Sequence, residues 1–162
     1  MVAPKNRHAM AILAIMSGLG RPLAAQNATQ TLTFQVDAIN QIAFTGSPSL
    51  VINTALAGGD PSSATAAVTW AVTTNQSNAK ITASLNAALP ADVTLTVDLT
   101  APAGAASAGA QSLGTTSVDL VTGITRVAQS ALGVTYTLSA TAAAGVVPST
   151  TRTVTYTITG GT

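Results

Sequence analysis

Apolar residues recur at every second position along most of the chain, the rhythm of strands with one face buried and the other wet. Leu32, Phe34 and Val36 alternate with Thr31, Thr33 and Gln35. Val68, Trp70 and Val72 alternate with Thr69, Ala71 and Thr73. The same period runs through residues 81–86, 93–99, 134–140 and 153–158, with shorter stretches at 50–52 and 118–121. Thr supplies most of the wet positions, because its branched Cβ suits a pleated surface and its hydroxyl faces water. Turn-forming stretches separate the runs: Gly46-Ser47-Pro48, Gly58-Gly59-Asp60-Pro61, Leu89-Pro90, and residues 102–109 and 145–148. No window after residue 25 has a helical period; the Ala-rich stretches 101–110 and 140–144 contain or border Gly or Pro and read as loops. The expectation is an all-β fold, an antiparallel β-sandwich of immunoglobulin-like or jelly-roll-like type with about seven or eight strands, open to completion by a donated N-terminal strand. The near match of Val134-Thr-Tyr-Thr-Leu and Val154-Thr-Tyr-Thr-Ile reads as two strands of similar environment; no fixed period makes the chain a solenoid.

The start of the chain follows a different pattern. Lys5, Arg7 and His8 precede an uncharged, mostly apolar run over residues 9–20, followed by Arg21-Pro22 and the small-residue segment Leu23-Ala24-Ala25. That order is the order of a secretory signal peptide with cleavage after Ala25. As a helix the run would rise about 18 Å, short of the roughly 30 Å of a hydrocarbon core. The expected organisation is a signal peptide over 1–25, an N-terminal extension over 26–38 and the sandwich over 39–162. The mature form would be secreted, with no stable membrane span.

Removing residues 1–25 leaves Lys80, Arg126 and Arg152 against Asp37, Asp60, Asp92, Asp98 and Asp119, a net charge of −2. Nucleic-acid binding needs a cationic footprint, and that balance excludes one. A surface so poor in charge gives little repulsion between copies. The chain has no cysteine, so an exported form relies on burial, β-ladders and neighbouring subunits rather than disulfides.

His8 is the only histidine, and beyond residue 25 there is no His, Cys or Glu. Ser-His-Asp and Cys-His nucleophile sets are therefore excluded, as are the usual zinc and copper ligand sets. Asp92 and Asp98 would share one strand face about 20 Å apart, too far for a glycosidase pair, which needs roughly 5–9.5 Å. No enzyme and no cofactor are expected. Calcium stays open through Asp60, whose plainer role is a turn residue bonding backbone. Trp70, Tyr136 and Tyr156 sit on apolar strand faces and read as core, although Trp70 could instead serve as a sugar-stacking platform. The repeated Thr-x-Thr pattern admits an ice-binding face or ordinary solvated sheet. Asn27-Ala28-Thr29 and Asn75-Gln76-Ser77 match the glycosylation sequon.

Residues 26–30 are polar, and residues 31–37 then alternate cleanly. Such a segment is either the first strand of its own sandwich or a strand that inserts into a neighbouring copy, with Leu32, Phe34 and Val36 as anchors. With its leading alternating segment, Thr/Ala/Val-rich sandwich and alternating residues 151–159, the chain resembles the small secreted β-sandwich subunits of bacterial surface fibres, pilin-like and biofilm-matrix fibre proteins. The resemblance implies a structural subunit of an extracellular filament, polymerising head to tail by strand donation, whose partners are other copies of itself. It departs from chaperone–usher pilins, which carry a disulfide and a tyrosine beside the C-terminus, and it carries no LPxTG-like sorting signal or lipidated cysteine. The alternative is a monomeric secreted adhesion or glycan-binding module.

Overall fold

A computed structural model describes residues 25–161. The expected signal peptide, Ala25 apart, lies outside the described residues. The chain divides into two units, Met1–Gln35 and Val36–Thr162. Of the first, residues 25–35 are described and hold no helix or strand.

The second unit is the β-sandwich expected from the alternation. Among the described residues its strands are β1 (Asn40–Phe44), β2 (Ala64–Thr74), β3 (Ala79–Leu85), β4 (Val93–Leu99), β5 (Ala106–Ser107), β6 (Gln111–Ser112), β7 (Val118–Ile124), β8 (Val127–Ala140) and β9 (Val154–Thr159). One sheet has the order β1-β2-β8-β4-β6 and the other β5-β7-β3-β9, and every pairing is antiparallel. The pairings nest, β2 with β8, β3 with β7 and β4 with β6, and β5 lies at the apex. Nested pairing across two sheets is jelly-roll topology, which separates the two sandwich types that alternation alone left open. β1 and β9 are additions on one flank, beside β2 and β3. The strand count exceeds the expected one partly because β5 and β6 have two residues each, too few to show a period. A single turn of 3-10 helix at Ala142–Ala144 interrupts the Ala-rich stretch read as loop.

The inward positions of the alternation form the core. From the first sheet come Trp70, Val72, Leu95, Val97, Leu99 and Val134, and from the second Ile81, Leu85, Leu120, Val121 and Ile124. Trp70 is 1% exposed and donates its indole N–H to the Thr100 carbonyl at 3.2 Å, which satisfies its polar end. Thr74 is buried too; its hydroxyl donates to Asn40 Oδ1 at 2.7 Å and accepts from the Gln76 N–H at 3.1 Å. Strict alternation breaks at two places. In β7 the register with β3 shifts, so that Leu120 and Val121, adjacent in sequence, are both buried. In β8 the register with β2 shifts opposite Ala71, and Ala131 adopts φ 57°, the extra-residue geometry of a bulge.

Candidate polymerisation site

The chain enters the sandwich through a clamp made by one side chain. Asn75 Oδ1 accepts the Ile39 N–H at 2.8 Å, and Asn75 Nδ2 donates to the Asp37 carbonyl at 2.7 Å. The Asn75 main-chain N–H donates to the Ile39 carbonyl at 3.3 Å. An amide suits this place because it donates and accepts at once. Both the oxygen and the nitrogen of the Asn75 amide are thereby engaged.

N-terminal to the clamp lie the predicted anchors. Leu32 is 80%, Phe34 86% and Val36 77% exposed. Residues 31–37, expected as a strand, lie outside every strand. Their alternation is as clean as that of β4, yet no ladder of the sandwich includes them. Among the other exposed large apolar side chains, Val51 and Leu56 sit singly and Val146 and Val147 are neighbours in a loop, while Ile39 lies at the clamp; none of these recurs at alternate positions. Three at alternate positions are different, since as a strand they present one continuous apolar face.

The sandwich has a flank to match. On β1, Ile42 and Phe44 face the core but stay half-buried, as do Val154, Tyr156 and Ile158 on β9. Phe44 stacks on Tyr156 with ring centroids 3.9 Å apart, and on Trp70 at 5.9 Å. The Tyr156 and Tyr136 hydroxyls are bonded at 2.5 Å. Burial pushes both tyrosines above the ordinary range, Tyr156 strongly. An aromatic seam therefore lines this flank.

Main-chain groups on the same flank point outward. In antiparallel pairs, hydrogen-bonded and non-bonded positions alternate. Asn86 N–H donates to the Thr153 carbonyl at 3.0 Å. Counting inward by twos, Thr155, Thr157 and Thr159 are bonded to β3, and Val154, Tyr156 and Ile158 aim their N–H and C=O at the open edge. On β1, Thr45 N–H donates to the Thr69 carbonyl at 2.9 Å, so Asn40, Ile42 and Phe44 face outward likewise.

The other residues singled out by the sequence lie elsewhere in the sandwich. Asp60 Oδ1 accepts the Ala142 N–H at 2.9 Å, joining two loops rather than closing its own turn. Among the described residues no three His, Cys, Asp or Glu side chains cluster as metal ligands. Asp92 precedes β4, at φ 62°, whereas Asp98 is exposed on β4 and accepts a bond from the Ser107 hydroxyl at 3.3 Å. The burial of Trp70 removes it as a sugar platform. Thr135 and Thr94 face water, and Thr65, Thr137 and Thr96 fall in one row across β2, β8 and β4 on the outer face of that sheet. Among the described residues no helix is long and apolar enough to cross a membrane. No protein-family model matches the chain, and no curated protein matches it in sequence.

What the alternation did not reveal is the open flank. β1 contributes only Ile42 and Phe44 as inward apolar residues, and the openness of β9 depends on tertiary pairing that no local pattern encodes.

Proposed function

We propose that the mature chain is an exported structural subunit of an extracellular filament, built by donating residues 31–37 of one copy as a strand to the sandwich of the next. The observation that carries this reading is the near-complete exposure of Leu32, Phe34 and Val36 at alternate positions. Burying one such side chain contributes about 1.5–3 kcal/mol, so the three together favour insertion by about 4.5–9 kcal/mol before the cost of ordering the segment. A backbone ladder adds to this. The contact is head to tail and does not close on itself, so it extends into a fibre. Low surface charge supports close stacking of copies. A chain with no His, Cys or Glu beyond residue 25 also suits a passive role.

The test is Phe34→Asp. Burying an unpaired carboxylate in the receiving core costs several kcal/mol, so the variant is expected to be exported and folded but to yield no fibres under negative stain. Fibres from it equal to those of the parent chain would contradict the proposal.

A further inference from the structure

Strand donation needs a receiving edge. We propose that this edge is β9 of the next copy, entered antiparallel, with Leu32 opposite Ile158, Phe34 opposite Tyr156 and Val36 opposite Val154. The inference rests on the strand-donation reading.

Four observations select this edge and this register. The first is the absence of protection. Monomeric proteins blunt edge strands with charge, proline or a bulge. β9 reads Val-Thr-Tyr-Thr-Ile-Thr, and its register with β3 is unbroken from Lys80↔Thr159 to Leu85↔Val154. Its free side carries none of the three devices.

The second is parity. The β9 residues whose main chain points outward are the ones whose side chains face the core. An incoming strand bonded to Val154, Tyr156 and Ile158 places its own directly opposed residues on the core side. Leu32, Phe34 and Val36 share one face at the same spacing.

The third is length. Three donor anchors meet three half-buried positions on β9. β1 offers only Ile42 and Phe44, because its other inward position is Asn40, committed to the Thr74 hydroxyl. β5 and β6 have two residues each. Sliding the donor by two residues along β9 would leave one apolar side chain beyond the strand. The central register also pairs Phe34 with Tyr156, and aromatic cross-strand pairs are favourable.

The fourth is direction. The chain is clamped by Asn75 at the pole that holds the β2–β3 turn, and β9 ends at that pole, where Thr159 pairs with Lys80. Antiparallel entry puts Val36 beside Val154, at the opposite pole of the receiving copy. The donor's sandwich then follows end-on and the fibre extends. Parallel entry would return the donor to the Thr159 pole. A segment still clamped at Asp37 and folded back onto its own β9 would have to run parallel, because β9 ends at the pole of the clamp.

The chain has no cysteine, so introduced pairs report cleanly. Thr33 and Thr157 would be a non-hydrogen-bonded pair of the new ladder, with Cα atoms about 4.5 Å apart, within the disulfide range. The full chain carrying Thr33→Cys and Thr157→Cys is oxidised and run on a non-reducing gel beside the Thr33→Cys/Thr155→Cys control. The proposal expects a ladder of covalent multimers, several-fold stronger at 157 than at 155. A monomer band with both thiols consumed overturns it, because the edge is then covered by the same chain. A stronger ladder at 155 overturns the direction and register. Fibres that form without either cross-link overturn the assignment to β9 while leaving strand donation standing. Failure of the unsubstituted chain to form fibres removes strand donation itself, and this inference with it.

Discussion

On the β5–β6 flank of the sandwich, the chain between β4 and β7 crosses and recrosses the gap between the sheets. Leu113 N–H donates to the Leu95 carbonyl at 2.9 Å, Ala108 N–H to Leu120 at 2.8 Å, and Leu85 N–H to Gly114 at 2.7 Å. Pro102 and Leu113 are buried there, and Leu95, Val97, Leu99 and Leu120 beneath them are fully covered. On the β1–β9 flank nothing comparable crosses among the described residues. Ile42, Phe44, Val154, Tyr156 and Ile158 carry the same inward parity and stay half-buried. Inward-facing apolar side chains line both flanks; coverage differs. Whether an inward side chain becomes core depends on the chain that closes over it, and among the described residues one flank lacks that chain.

Truncation on the covered flank should have the largest effect. Leu99→Ala is expected to lower unfolding free energy by about 2–5 kcal/mol, measured by chemical denaturation, in monomer and fibre alike. Ile158→Ala on the open flank should cost less in a non-assembling Phe34→Asp background, about 1–2 kcal/mol, and should weaken fibres more than it weakens that monomer. Equal costs in both backgrounds would mean that assembly does not cover β9.

Tyr156→Phe removes the hydroxyl bonded to Tyr136 and should cost about 1 kcal/mol near neutral pH. Its pH dependence is more specific. Burial raises both tyrosines above the ordinary range, although for Tyr136 the bond from Tyr156 partly opposes this. Unfolded tyrosines ionise near pH 10 and release protons first. Stability contributed by neutral burial is therefore intact below about pH 10 and lost as pH rises toward the folded values. A denaturation series from pH 9 to 11 should show that decline, made shallower by Tyr156→Phe. The smallest effect belongs to the exposed Lys80–Asp119 pair at 2.9 Å. Lys80→Ala is expected to change stability by less than about 0.5 kcal/mol.

The alternation made most of the sheet legible. Residues in β2, β3, β4 and β9, and those of β8 from Val134 onward, declare themselves because their inward positions recur with a period of two; the earlier part of β8 went unread because its bulge breaks that period. β7 was legible only as far as Val121, since its bulge sets Leu120 and Val121 inward together. β1 escaped because Asn40 occupies an inward position and only Ile42 and Phe44 mark its face. The reverse case is residues 31–37. Their pattern is that of a strand, but a strand also needs a neighbour to bond, and none of the ladders within the sandwich supplies one. Residues 50–52, read as a short strand, likewise have no ladder. The candidate anchors were thus readable from period alone. The open flank was not, because an open edge is a property of topology.

The central claim is that Leu32, Phe34 and Val36 are covered by a sister molecule. Sedimentation velocity on the exported chain, run beside Phe34→Asp at equal concentration, tests it most directly. The account predicts large, heterogeneous assemblies from the parent chain and a single slow monomer boundary from the variant. A parent chain that sediments as a monomer, or a variant that assembles as the parent does, would contradict it.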